Sequence, residues 1–369
     1  MASLFQSAQT KKWEFVFDCY VNGKRKQVRR RGYKTKREAN DELVRLQNEV
    51  QAVEYVGISH KTVGEFMEYW LVNVRKHECE ETSYYNNALY LKNHIIPGLG
   101  KYKLQQLSPV LCQKFVNDMH QKGYARNTID RVCTLIKLAL DSAIDYKYIK
   151  VNHMRKVKLP KAQKKEMRIW TLSQANHFLH FVKNKRYYCV YALALMTGMR
   201  QGEILGLRWK DINFDKKIIT VRQTLTHYGK CLKSGAKTTS SERIISLPDQ
   251  LISILKKQQN EYMAFKLQVD PFIDLDLVVY NLKNGGSLFP ANLTKTYIKD
   301  VKQSGLPHIP FHSLRHTHAT MLIEKNVNVK VISERLGHSK IGVTLDVYSH
   351  VLPSMQQDVA HKLDEIINL

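Results

Sequence analysis

Apolar positions follow three different patterns along the chain. From residue 11, "KKWEFVFDCYV" is rich in the aromatic and β-branched residues that strands favour. "KRKQVRRRGYK" follows as a return strand across Asn22-Gly23, a strong short-range hairpin signal. Thr35 and Glu38 in "TKREANDELVRLQNEV" then have the spacing of a capping box opening an amphipathic helix. Between residues 61 and 150 the period becomes helical. "TVGEFMEYWLVNVRKH", "ETSYYNNALYLKNHIIPGLG", "SPVLCQKFVNDMHQKG" and "ARNTIDRVCTLIKLALDSAIDY" predict four or five helices, punctuated by Pro97-Gly98, Gly100, Pro109 and Gly123.

From Ile169 the pattern is mixed. "TLSQANHFLHFV" opens a helix at a Thr or Ser cap. Tyr187 to Thr197 predicts a buried helix ended by Gly198, and "QGEILGLRWKDINFD" a second one. "KKIITVRQTL" and "ERIISLP" predict two strands joined by the loop "THYGKCLKSGAKTTSS", followed by the helix "DQLISILKKQQNEYMAF". Further helices are expected to start near Leu293, Pro310, Asn328 and Ile341. The expected boundaries are 1–55, 56–150, a linker at 151–168, and 169–369. The fold class is mainly α with small β-sheets. A chain of 369 residues is too long for one ordinary core, in keeping with several domains.

Composition adds one fact to this outline, the sign of the charge. Lys plus Arg is 58 against 33 acids, a net charge of +25. Such an excess favours polyanions, nucleic acid being the usual one, although solubility or attraction to a membrane surface would also use it. The charge is local. From Lys24 to Arg37 nine of fourteen residues are basic and none is acidic, and the run includes Lys24, Arg25, Lys26, Arg29, Arg30 and Arg31. Residues 147–168 carry nine basic residues and one acid around Pro160, as an extended basic linker would. The N-terminal residues show no secretion signal, and Tyr187–Met199 is too short an apolar run for a bilayer, which needs ~20 residues, so no membrane role is expected. Cysteines at 19, 79, 112, 133, 189 and 231 form no C-x-x-C pair, and a reduced, cytoplasmic chain is expected.

Four short stretches carry candidate chemistry. In "TGMRQGEILGLRW", Arg200 stands at a helix start, where its planar fork suits a phosphate; it could equally pair with Glu203 three residues on. "PFHSLRHTHAT" places His312, Arg315 and His316 on one helical face. Three readings are open for it: a metal site, a cationic cradle for phosphate, or a helix with incidental histidines. The zincin motif has Glu after the first His, whereas Ser313 stands here, and an Arg between two ligands opposes a divalent cation. "RLGHSKIGVTLDVYSHV" puts His338 after a helix-ending Gly337 and Tyr348 on the next expected helix. "GAKTTSSERIISLP" puts Lys237 in a loop between strands, where it could reach a substrate as a proton donor.

Taken in order, Arg200, Lys237, His312, Arg315, His338 and Tyr348 resemble the catalytic positions of the tyrosine recombinases. All six hold a residue type that family accepts. The resemblance implies a helical core-binding domain over residues 56–150 and a mixed α+β catalytic domain from residue 169. The basic segment at 1–55 is similar to the arm-type DNA-binding domain, a three-stranded sheet plus helix, of integrases from temperate phages and integrative conjugative elements. What it implies of activity is cleavage and rejoining of DNA through a 3′-phosphotyrosyl intermediate, with Tyr348 as nucleophile, Lys237 as general acid, and no cofactor or metal. The implied partners are double-stranded core and arm attachment sites, a homotetramer on DNA, an excisionase and a DNA-bending host factor, at the nucleoid of a bacterium. His316 and Glu203 would orient the cradle, and His318 would be structural. A DNA-binding regulator that has lost catalysis and a type IB topoisomerase-like enzyme are the alternatives.

Overall fold

A computed structural model describes residues 2–7, 10–21, 24–54, 61–161, 168–226, 232–234 and 242–337; the side chains of 19–21, 24–26, 48–54 and 233–234 are not described. The chain divides into two compact units, residues 1–164 and 165–369.

The first unit opens with β1 (Ala2–Gln6), β2 (Trp13–Val21) and β3 (Lys24–Tyr33), an antiparallel sheet in that order. The β2–β3 ladder runs from Trp13 opposite Tyr33 to Val21 opposite Lys24. Helix α1 (Lys36–Glu54) follows, and Phe15, Phe17, Ala39 and Leu43 form a small core between sheet and helix. Thr35 Oγ1 accepts from the Glu38 N–H at 3.1 Å. The Glu38 carboxylate reaches back to the Lys34 N–H rather than to Thr35, so the expected capping box is only half formed. The strand period sends Phe15 and Phe17 to the helix side and Glu14 to the other. There Glu14, 7% exposed at its side chain, accepts from Arg29 at 2.9 Å and lies 3.1 Å from Arg31. The basic run therefore has an internal counterion, contributed by the neighbouring strand.

The helical part begins with α2 (Val63–Trp70), capped by Thr62 and Glu65 in a complete capping box. A π turn, Leu71–Arg75, carries it into α3 (Lys76–Glu78). Likewise α4 (Glu81–Tyr90) passes through a second π turn, Leu91–Ile95, into α5 (Ile96–Leu99). Helices α6 (Pro109–Gln121) and α7 (Arg126–Asp145) complete a core around Phe66, Trp70, Ile95 and Ile136. The expected linker does not start at 151. Met154 is fully buried in this core, with Val157 and Leu159 packed against it, and Gln113 exchanges two hydrogen bonds with the Lys158 backbone. Apolar residues within the basic stretch hold it down as far as residue 160, while residues 162–167 lie outside the described part.

In the second unit, α8 (Leu172–Phe181) and the almost wholly buried α9 (Tyr188–Thr197) precede α10 (Gln201–Leu205). The single helix expected over "QGEILGLRWKDINFD" stops at Gly206. A 3₁₀ turn, Trp209–Asp211, and β4 (Ile212–Asn213) take up the rest. Strand β5 (Ile218–Val221) pairs with β4 and with β8 (Arg243–Ser246). The expected loop between the strands contains a further hairpin, β6 (Gln223–Leu225) with β7 (Leu232–Ser234). Helices α11 (Asp249–Gln268), α12 (Pro290–Gln303), α13 (Ser313–Glu324) and α14 (Val329–Leu336) follow, with α13 packed on α9 and α14 on β8. The helix expected from Pro310 begins at Ser313 instead. Pro310, Phe311 and His312 lead into it through i→i+3 hydrogen bonds.

Candidate active site

The site is organised by the C-terminal end of α14. A helix leaves its last carbonyls without intrahelical partners, and they carry the negative end of its dipole. Here three consecutive carbonyls each accept from a different arginine. Arg335 O takes Arg243 Nε at 2.8 Å, Leu336 O takes Arg315 Nη2 at 2.7 Å, and Gly337 O takes Arg200 Nη2 at 3.2 Å. Gly337 ends the helix with φ at 68°, a left-handed turn that suits glycine. A Cβ there would also come within 3.0 Å of the Arg243 side chain.

Arg315 is 2% exposed, and its Nη1 donates to Gly198 O at 2.8 Å, the carbonyl that ends α9. Gly198 itself has φ at 70°, and a Cβ on it would lie 2.7 Å from His318 and from Leu336. The helix ends of α9 and α14 thus meet on one guanidinium.

Arg200 precedes α10 and keeps 42% of its side chain exposed. Its backbone N–H donates to Glu203 Oε2 at 2.8 Å and its Nη1 to Glu203 Oε1 at 2.9 Å. With five residues in α10 and this N–H already taken, the positive character expected from a helix start comes from the guanidinium instead. Arg243 grips the same carboxylate as a fork, Nη1 to Oε1 at 3.0 Å and Nη2 to Oε2 at 2.7 Å. Burial acts to raise the Glu203 pKa. The hydrogen bonds and charge of Arg243, then the charge of Arg200, outweigh it and hold the group at about 2.

His312 stands just ahead of α13, exposed on one side, with the His316 ring edge-on to it, centroids 5.0 Å apart. Desolvation, then the charges of Arg315 and Arg200, lower its pKa against a weaker pull from Glu203. At neutral pH the imidazole is therefore uncharged and able to accept a proton. His318 is different. It is buried, its Nδ1–H donates to Leu195 O at 2.8 Å, and its Nε2 accepts from Arg335 Nε at 3.2 Å. Burial first, and then Arg335, push its pKa down to about 4, although the bond to Leu195 opposes them.

This histidine makes the second unit acid-sensitive. An unfolded histidine titrates near 6.5, so between that value and 4 the unfolded state binds the extra proton. Stability is full above about pH 6.5 and is lost as pH falls toward 4. We expect about 2 kcal/mol of stability to be lost between pH 7 and pH 5 from this group. Urea unfolding at the two pH values should show that loss, and His318→Gln should remove most of the slope.

A model described as the phage integrase family matches residues 168–355, half of the chain, a range that contains Arg200, Lys237, His312, Arg315, His338 and Tyr348. This chain belongs to the phage integrase family. It is an enzyme of the tyrosine-recombinase type. A phage integrase N-terminal SAM-like domain matches residues 62–120, and an arm DNA-binding domain matches residues 6–50. A tyrosine recombinase XerC-like protein of Caldanaerobacter subterraneus subsp. tengcongensis is 30% identical over 92% of this chain and 93% of its own length. The ICEBs1 integrase of Bacillus subtilis is 27% identical over 80% of this chain and 82% of its own. Among solved structures, a Tn1549 transposon integrase in complex with a circular intermediate DNA has a TM-score of 0.68 at 20% identity, covering 80% of this chain and 99% of that one. A lambda integrase dimer bound to a core site has a TM-score of 0.61 at 17% identity, covering 93% of each.

Of the six positions named from the integrase resemblance, Arg200, His312 and Arg315 come together here. Lys237, His338 and Tyr348 lie outside the described residues. On the N-terminal sheet, the backbones of Lys24, Arg25 and Lys26 continue β3, and their side chains are not described. Arg29, Arg30 and Arg31 are exposed. Sequence reasoning missed Arg243 and Arg335. Both carried a signal in their phase. Arg243 shares the buried face of β8 with Ile245, and Arg335 stands three residues after the buried Ile332 on α14. Among the described residues, no group of three or more His, Cys, Asp or Glu side chains could hold a metal ion, and no helix is long and apolar enough to cross a membrane.

Proposed function

We propose that this chain integrates and excises a mobile element by cutting and rejoining DNA through a 3′-phosphotyrosyl bond. The observation that supports it best is the pair of fixed guanidiniums, Arg200 and Arg315, tied to successive carbonyls of one helix end with an uncharged imidazole, His312, beside them. Attack on a phosphodiester builds negative charge on the non-bridging oxygens. Donors already oriented toward that charge are worth roughly 10²–10³ in rate apiece. In this reading the Tyr348 oxygen attacks phosphorus and His312 takes the phenol proton. The bond to the 5′-oxygen breaks, and Lys237 protonates the leaving hydroxyl. Arg200, Arg315 and His338 hold the phosphate oxygens. Because the phosphodiester is exchanged for a phosphotyrosine, rejoining to another strand's 5′-hydroxyl needs no nucleotide energy source.

In the same reading residues 1–55 contact arm sequences. Lys24, Arg25, Lys26, Arg29, Arg30 and Arg31 supply the cations for DNA there, and Glu14 sets the angle of Arg29 and Arg31. Residues 56–150 and 169–369 each contact the core site, and the basic segment at 151–168 connects them in sequence. Strand exchange takes place in a homotetramer, with an excisionase and a bending factor setting direction. The double-stranded DNA partners in this family support that arrangement, and a cytoplasmic, nucleoid-associated location follows from it.

A nicked suicide duplex carrying the junction of the element that encodes the chain tests the reading. We expect a labelled covalent protein–DNA complex on denaturing gels that persists in excess EDTA, because arginines and histidines supply the charge. A catalytically silent regulator would bind the same duplex and leave no covalent product. Lys237→Ala should cleave the ordinary duplex roughly 10²–10⁴-fold more slowly, the range of a lost general acid. A duplex with sulfur at the bridging 5′ position should restore most of that rate, since a thiolate leaves without a proton. Absence of rescue would move the role to Lys233.

A further inference from the structure

We propose that Arg243 is a positioning residue for Arg200, acting through Glu203 and through the end of α14. The inference rests on the reading of Arg200 as a phosphate donor. Each oxygen of Glu203 is shared by one group of Arg200 and one of Arg243: Oε1 by the two Nη1 atoms, Oε2 by the Arg200 backbone N–H and Arg243 Nη2. The Arg243 fork therefore fixes the plane of the carboxylate, and the carboxylate fixes both the backbone and the guanidinium of Arg200. The third donor of Arg243 goes to Arg335 O, two residues before the carbonyl that receives Arg200 Nη2. Arg243, Glu203, Arg200 and the last turn of α14 make a closed ring of contacts. The two arginines differ in access. Arg200 is open to solvent, whereas Arg243 is 8% exposed, with its donors turned onto protein. Arg243 is thus built to act on Arg200 and not on DNA. Arg335, another cation close to Arg243, is occupied with Ser246 O, Met196 O and His318, so it offers no substitute for the fork.

The chemistry of Glu203 makes this role separable from plain structural support. Two groups grip the carboxylate, Arg200 ahead of α10 and Arg243 on β8, and His312 ahead of α13 is near enough to feel its charge. With Arg243 present Glu203 stays ionised across the working range. Without it, burial is opposed by Arg200 alone, so the Glu203 pKa rises. As pH falls through the new value, the carboxylate protonates and lets go of Arg200. His312 titrates in every variant, so its effect is common to all of them.

The test follows covalent complex formation by the full chain on the suicide duplex between pH 5.5 and 8.5. Arg243→Gln should slow cleavage about 10–100-fold, as loss of a supporting partner does elsewhere, with DNA affinity changed much less. It should also gain a fall in rate toward acid beyond the one that His312 gives every variant. Arg243→Lys should remove that additional fall while leaving the rate below normal, since an ammonium replaces the charge and not the fork. The double variant Arg243→Gln, Glu203→Gln should stay slow with only the acid limb of His312. It also leaves no unpaired buried charge, so it is the better-folded comparison. A normal rate and profile in Arg243→Gln would overturn the proposal, and so would uniform slowing at every pH. If that variant does not fold, an unchanged rate in Arg243→Lys would overturn it equally. Absence of any covalent complex from the unmodified protein would overturn the functional reading, and this inference with it.

Discussion

Tyr348→Phe should abolish covalent attachment to DNA while leaving binding intact. The substitution removes one oxygen, the atom that would form the phosphotyrosyl bond, and keeps the aromatic ring. Loss of a nucleophile leaves only what positioning and charge stabilisation contribute, so the fall should be at least about 10⁴-fold. Trapping on the suicide duplex measures it, and gel-shift affinity with intact duplex provides the control. A labelled covalent band that survives in Tyr348→Phe would transfer the role to another hydroxyl. Equal loss of binding and cleavage would mean that the phenol oxygen holds the fold or the DNA and does not attack it.

Arg315→Ala should have the next largest effect, and a double one. A guanidinium that contacts the reacting phosphate is worth roughly 10²–10³ in rate. Arg315 also joins Gly198 O to Leu336 O inside the protein, and both carbonyls are left without this donor when it goes. An unsatisfied buried acceptor costs about 1–3 kcal/mol, so the unfolding midpoint should fall together with the rate. Arg315→Lys separates the two. It keeps a cation, but a single ammonium cannot span both carbonyls in the same geometry, so it should regain some charge stabilisation and little of the link between α9 and α14. Arg315→Ala with an unchanged melting profile would show that the helix ends are held by other contacts. Arg315→Ala with an unchanged cleavage rate would remove it from the phosphate site.

What the sequence disclosed, and what it hid, follows from the range of the interactions involved. Helix α9 with Gly198 after it is legible because ten nearly continuous apolar residues and a left-handed glycine are local facts. The Thr171 cap, the Asn328 cap and the β2–β3 hairpin register are local in the same sense. Arg200, His312 and Arg315 stand out because reactive residue types are rare enough to be noticed one by one. Arg243 does not, since its partner Glu203 is 40 residues away and only its phase with Ile245 in "SERIISLP" hints at a buried charge. Glu14 is hidden for a related reason. It lies 15 residues before Arg29 on the facing strand, where a count of charges along β3 cannot see it. The run at 151–160 misleads in the opposite direction. Its lysines look like those of a free tether, and the residues that tie it down, Met154, Val157 and Leu159, are unremarkable apolar side chains among them.

The arginine-capped end of α14 also bears on when the enzyme becomes active during its own synthesis. The three arginines gathered there make hydrogen bonds that join residues 137, 117 and 92 positions apart: Arg200 to Gly337, Arg315 to Gly198 at the end of α9, and Arg243 to Arg335. Contacts of such long sequence separation form late, because the intervening chain must be ordered before they can close. The N-terminal sheet, in contrast, closes over short separations and can fold soon after it leaves the ribosome. A chain still being translated therefore gains its basic sheet long before it gains the cluster of arginines around the end of α14. Until residue 337 has emerged, Arg200 and Arg315 lack the α14 end that joins them, and a ribosome-bound fragment has no assembled arginine pair at the candidate site.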